Sequence, residues 1–287
     1  MNRSLPSGLA SETTLDYVHL TVSDLLRSLD FYQYSLGLQV HRREGKTAYL
    51  GAGAHDLVVV TEMSGATKAA RTTGLYHFAL LVPSRLALAH ALQRLVDHGA
   101  DLTGGSDHGV SEAIYLDDPD GNGIEIYRDR PRSDWPTENG ALAMTTDPLD
   151  ARGILSLLNG EDVESQMEPA TVLGHMHLHV AHLDEAVEFY QRVIGFELQM
   201  YYGRSAAFLS AGGYHHHIGV NTWNGVGAPP PPPESVGLRY FTVRLAGQAE
   251  LDRLVQRLEA AQAAYETRTD GLFLRDPAQN GLLFTVA

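Results

Sequence analysis

One supersecondary unit occurs four times along this chain, and that repetition limits its fold more than any other feature. LDYVHLTVSDLLRSLDFYQYSLGLQV, from Leu15, and GHMHLHVAHLDEAVEFYQRVIGFELQM, from Gly174, share a strand pattern, an FY pair and a helix-ending glycine. A second related pair starts at Leu75 (LYHFALLVPSRLALAHALQRLVDHGADL) and at Leu238 (LRYFTVRLAGQAELDRLVQRLEAAQAAY), and these units close in LDDPDGNGIEIY and LRDPAQNGLLFTV. Each unit reads as one alternating strand, one amphipathic helix and then strands joined by Gly- and Asp-rich turns, a βαβββ module. The fold class is therefore α+β. The modules cover 15–62, 75–128, 173–222 and 237–287, which divides the chain into a first domain over 14–130, a connector over 131–170 and a second domain over 171–287.

The helices have a local rationale. Over Leu183 to Gly195, Ala186, Val187, Phe189, Tyr190, Val193 and Ile194 form a stripe at helical spacing, and Gly195 supplies a left-handed stop. The Phe and Tyr of the FY pairs read as core packing. The connector is rich in Pro, Asp, Glu and Thr and carries one short apolar helix-like piece at Ile154 to Leu158. Pro229 to Pro233 read as a stiff polyproline II joint before the fourth module.

Composition narrows the chemistry. With 35 acidic and 21 basic side chains the formal charge is −14, so a nucleic acid would meet net repulsion, and no basic patch offsets it. No cysteine is present, which excludes a thiolate nucleophile, a disulfide and a zinc-thiolate or iron–sulfur site, so a metal is expected on nitrogen and oxygen donors. MNRSLPSGLASETT lacks the apolar run of a signal peptide, and no segment approaches the ~18 to 20 apolar residues of a membrane helix. A cytoplasmic protein with no membrane partner is expected.

Aligning the modules exposes candidate functional columns. When the first strands are anchored on Val22, Val82, Val180 and Leu245, the residue five places earlier is Tyr17, His77, His175 and Tyr240. Aligning the closing strands on their shared DP-x-x-NG turn sets Glu125 opposite Leu283. A carboxylate between Ile124 and Ile126 faces either solvent or a cavity. Because residues two apart share a strand face, His19 and His177 can reach whatever cavity Tyr17 and His175 reach, so His19, His77 and Glu125 form a rival cluster. Asp117, Asp118, Asp120, Gly121 and Gly123 lack the ligand spacing of a calcium loop and read as turn chemistry.

Four βαβββ modules with a first-strand histidine, a last-strand glutamate and the strings SEAIYLDDPDGNGIEIY and GHMHLHV resemble the vicinal oxygen chelate superfamily over nearly the whole chain. Within it, GLYHFAL, DHGVSEAIYL, GHMHLHV and YHHHIGVN are most similar to bacterial extradiol dioxygenases of the catechol 2,3-dioxygenase type. The resemblance implies modules paired into two half-open, mixed barrel-like sheets, with a divalent metal held by two histidines and a glutamate. It implies Fe(II), for which Mn(II) is an alternative with the same ligands, and a small aromatic diol and O2 as substrates. The usual arrangement draws all ligands from the third and fourth modules, where this chain has Tyr240 and Leu283. His77, Glu125 and His175 assemble only if the second and third modules pair, which would leave the first and fourth as a metal-free half. By the same resemblance His216, in YHHHIGVN, is the acid–base residue, and Tyr115 and His108 lie near the substrate oxygens. A glyoxalase-like lyase or isomerase and a metal-free binding protein of the same fold stay open, as do ring substituents and oligomeric state, with a homo-oligomer compatible.

Overall fold

The computed structural model describes residues 8–287; MNRSLPS, the start of the N-terminal stretch discussed above, lies outside the described residues. Each module supplies four strands and a helix. The first holds β1 (Thr14–Val22), α1 (Leu25–Asp30), β2 (Gln39–Glu44), β3 (Thr47–Ala52) and β4 (His55–Glu62), and a short β5 (Thr67–Lys68) follows it. The second holds β6 (Gly74–Leu81), α2 (Arg85–Asp97), β7 (Leu102–Asp107), β8 (Ser111–Asp117) and β9 (Gly123–Asp129). The connector contributes β10 (Thr137–Glu138), β11 (Ala141–Leu142), β12 (Asp147–Pro148) and α3 (Ala151–Leu155). The third module holds β13 (Val172–His179), α4 (Leu183–Glu188), β14 (Glu197–Tyr202), β15 (Ala206–Ser210) and β16 (Ile218–Asn221). The fourth holds β17 (Ser235–Leu245), α5 (Gln248–Ala260), β18 (Tyr265–Arg268), β19 (Gly271–Arg275) and β20 (Gly281–Val286).

The α+β class is borne out, as two curled nine-stranded sheets. Within each module the first and last strands run parallel: β1 with β4, β6 with β9, β13 with β16 and β17 with β20. The modules then join through their first strands, and the partners are not sequence neighbours. β6 pairs antiparallel with β13, and β1 pairs antiparallel with β17. One sheet thus combines the second and third modules, and the other combines the first and fourth. Each half of the chain contributes one module to either sheet.

Strand alternation sorts the side chains onto two faces. Val18, Leu20 and Val22 of β1, Phe78 and Leu80 of β6, and Met176 and Leu178 of β13 are fully or nearly fully buried in one continuous core with the helices. Each is worth about 1.5–3 kcal/mol of transfer free energy. The odd-numbered partners on the same strands, including His77, Ala79, His175 and His177, face the concave side.

The FY pairs do more than fill the core. Tyr32 donates its hydroxyl hydrogen to Asp118 Oδ2 at 2.9 Å, and Tyr190 donates to Asp276 Oδ2 at 3.1 Å. Those aspartates are the first residues of the repeated DP-x-x-NG turns. Asp118 Oδ1 accepts from the backbone N–H groups of Asp120 and Asn122, and Asp276 Oδ1 accepts from that of Asn280, so the acidic loop is turn chemistry as its spacing implies. A buried tyrosine of one module therefore ties down the closing turn of the next in sequence. The helices that carry these tyrosines also differ from the sequence reading: each passes into a π-helical turn, Phe31–Ser35 and Phe189–Ile194. There the hydrogen bonds slip to the fifth residue, Leu36 N–H to Phe31 C=O at 3.2 Å and Gly195 N–H to Tyr190 C=O at 3.0 Å. Gly195 ends the second of these at φ +104°.

Candidate metal centre and substrate cavity

The site is assembled from three adjacent strands. Register places Ala79 of β6 opposite Glu125 of β9 on one side and opposite His175 of β13 on the other. Strands lie about 4.8 Å apart, so the outer two are separated by roughly 10 Å at their backbones. The small side chain of Ala79 lets Glu125 and His175 lean over it and meet. His77, two residues earlier on β6, completes the group, and its strand neighbour on β13 is His177. Gly174 makes the local geometry of β13: it lies at a register shift, and a Cβ there would stand 1.9 Å from the Tyr127 hydroxyl.

His77, Glu125 and His175 each offer a ligand atom, and those atoms lie within 4.8 Å of one another. Both imidazole Nε2 atoms approach the same oxygen, Glu125 Oε2, at 3.1 Å. All three side chains are buried. Burial alone would raise the Glu125 carboxyl, but His175 and then His77 beside it hold it well below the ordinary range. Burial pushes His175 down to about 4 against the pull of Glu125. The donor set fits a divalent cation: His77 Nε2 is buried with no well-aligned hydrogen-bond partner, which is costly unless something else takes its lone pair. Two neutral imidazoles and one carboxylate are borderline-hard donors suited to first-row divalent metals.

A cavity of about 450 Å³ opens above this group, with His77 and Glu125 in its wall. The remaining predicted residues also line it: His216, Tyr115 and His108. Tyr115 sits opposite Glu125 in the β8–β9 register, and burial with the Glu125 charge keeps its phenol well above the ordinary range. His108 Nδ1 donates to the carbonyl of Thr145 at 2.8 Å, so its Nε2 is the acceptor for the Tyr115 hydroxyl at 2.7 Å. The His216 ring lies 4.1 Å from that of His175, centroid to centroid, and burial followed by the neighbouring imidazoles keeps it neutral. Tyr76, Phe208, Met144 and Trp223 give the cavity apolar walls, and no lysine or arginine lines it among the described residues.

His19 is not part of this group. It belongs to the other sheet, where Nε2 bonds Thr61 Oγ1 at 2.8 Å and the ring packs 4.9 Å from Tyr240. Tyr17 and Tyr240 are themselves neighbours, 6.2 Å between ring centroids, at the place that corresponds to His77 and His175.

A family model described as the Glyoxalase/Bleomycin resistance protein/Dioxygenase superfamily matches residues 14–126 and 172–281. The chain belongs to this superfamily. Over 282 residues, 96% of this chain and 98% of the relative, it is 43% identical to catechol-2,3-dioxygenase from Bacillus subtilis (strain 168). A shorter stretch of 123 residues, 39% of this chain and 89% of the relative, is 29% identical to lactoylglutathione lyase from Escherichia coli O157:H7. Glyoxalase I from Zea mays shares the fold, with a TM-score of 0.61 at 16% identity over 95% of this chain and 92% of that one. Among the described residues no helix is long and apolar enough to cross a membrane.

Within this superfamily frame, several contributors to the site escape the columns of the repeat. Asp129 shares its strand face with Glu125 and Tyr127, and alternation alone could have found it. Met144, Thr145 and Thr146 come from the connector and close one side of the cavity. Their placement depends on β12 adding to the sheet edge at β7, which two residues of sequence do not announce.

Proposed function

We propose that the chain is an extradiol ring-cleaving dioxygenase that opens a catechol-type aromatic diol with O2, using a mononuclear non-haem Fe(II) held by His77, Glu125 and His175. The observation that carries the reading is the convergence of two imidazole nitrogens and one carboxylate oxygen within 4.8 Å at a cavity that also contains His216 and Tyr115. The 43% identity to a protein named catechol-2,3-dioxygenase supports it over nearly the full chain. Bound by three protein ligands on one face, the metal would supply open positions for a chelating diol and for O2 and would favour the deprotonated diol.

The chain's own residues then have distinct tasks. His216, neutral and at the cavity wall, takes a proton from a substrate hydroxyl and can return it later. Tyr115, whose hydroxyl proton goes to His108, turns its oxygen lone pairs to the cavity and accepts from a substrate hydroxyl there. Tyr76, Phe208, Met144 and Trp223 hold the ring and exclude water. With no cationic side chain in the wall, the pocket suits an uncharged diol better than one bearing a carboxylate. This reading assigns the protein to aromatic catabolism.

Anaerobic loading with Fe(II), followed by catechol and air, tests it: a yellow ring-fission product should form with one O2 consumed per diol. No product with Fe(II) or Mn(II), together with turnover of a hemithioacetal, would replace it with a glyoxalase-like isomerase.

A further inference from the structure

We propose that Asp129 and His215 are positioning residues that hold His216 in one tautomer, with its proton on Nδ1 and its lone pair on Nε2. The inference rests on the reading of His216 as the proton acceptor. Asp129 ends β9, four residues beyond Glu125 on the same face, and its two oxygens have separate partners. Oδ2 accepts from the Tyr214 hydroxyl at 2.8 Å, which in turn accepts from the Tyr127 hydroxyl at 2.8 Å. Oδ1 is 2.9 Å from His215 Nε2.

A carboxylate can only accept, so His215 donates from Nε2. A neutral imidazole with its proton there carries a lone pair on Nδ1. That atom lies 2.8 Å from His216 Nδ1, and two nitrogens at this distance share one proton. His216 must supply it, which leaves its Nε2 as the basic nitrogen. The His215 side chain is fully buried, and the Asp129 side chain keeps 24% exposure. The chain of donors runs one way because it ends on a group with no proton to give, the logic by which a buried carboxylate orients a catalytic histidine elsewhere. Asp129 comes from the second module and both histidines from the third, so the network exists only where those modules meet.

The test combines spectroscopy with a mutant cycle. In metal-free protein labelled with 15N-histidine, the imidazole resonances lost in His216→Phe should show a protonated Nδ1 and an unprotonated Nε2, and Asp129→Ala should convert them to a tautomer mixture. In Fe(II)-loaded protein, Asp129→Ala and His215→Phe should each keep stoichiometric metal and KM but lower kcat by about 10- to 100-fold. Neither should cost anything further when added to His216→Phe. Finding His216 protonated on Nε2 in the unmodified chain, or equal losses with and without His216, would overturn the proposal. Undiminished turnover in His216→Phe would instead remove the base assignment, while the spectra still decide the tautomer.

Discussion

Acid should unfold the metal-free protein well above the pH at which its carboxylates titrate, because the fold buries imidazoles in their neutral form. Burial, helped by Arg239, pushes His19 down to about 3, and burial with neighbouring histidines pushes His217 to about 3. Burial takes His175 to about 4 and carries His177 and His216 well below the ordinary range. An unfolded chain binds protons on these side chains near pH 6.5, whereas the folded chain does not. Their contribution is therefore complete above that pH and falls away as pH drops below it. At pH 5.5 each histidine costs about 1.4 kcal/mol, or roughly 7 kcal/mol for the five. Asp276, raised by burial to about 6, takes up a proton in the folded state and offsets a small part of this, on the order of 1 kcal/mol. A net loss of about 6 kcal/mol is comparable to the whole stability of a typical domain, about 5–15 kcal/mol. Urea unfolding of the EDTA-treated protein, followed by circular dichroism, should show a midpoint about 2 M lower at pH 5.5 than at pH 7.5, for a slope of about 3 kcal/mol per molar. His177→Phe should recover about 1.4 kcal/mol of that loss. A midpoint that moves by less than about 0.5 M would refute the reasoning.

His77→Ala, Glu125→Ala and His175→Ala should each abolish stoichiometric metal binding, read by elemental analysis after gel filtration, while His19→Ala leaves metal content unchanged. One metal per chain is expected, since Tyr17, Tyr240 and Leu283 make a poor divalent site; two per chain would contradict the account of the other sheet. Ala79→Leu should also prevent metal loading, because a larger side chain fills the space in which Glu125 and His175 meet; a fully loaded variant would show that this space is not needed. Tyr190→Phe, which takes a donor from buried Asp276, should lower stability by about 1–3 kcal/mol in denaturant titration without changing metal content. His216→Phe should keep its metal and lose about 10²- to 10⁴-fold in turnover, and concurrent metal loss would recast the residue as a ligand.

Much of this molecule is local information. Strand alternation, the helical stripe over Ala186 to Ile194, the stop at Gly195 and the Asp118 and Asp276 turns all depend on residues a few places apart, and short-range sterics and hydrogen bonds dictate them. Comparing four copies of one unit then separated the residues every module needs for its core from those only some carry, which is how His77, His175 and Glu125 stood out. The choice between His175 and His19 was of another kind. Both lie on first strands at positions that face a concave surface; module alignment favours His175, which shares the column of His77, but two-residue alternation leaves His19 able to reach a cavity as well. The pairing of β6 with β13 sent His175 to Glu125, while that of β1 with β17 set His19 against Tyr240, with Thr61 of its own module as its hydrogen-bond partner. Likewise Asp129 and His215, 86 residues apart, meet only across that junction. Which module's edge satisfies which is decided by the burial and hydrogen bonding of the whole assembly, so the amino-acid sequence determined the module and its candidate donors, and only the tertiary structure decided which donors share a cavity.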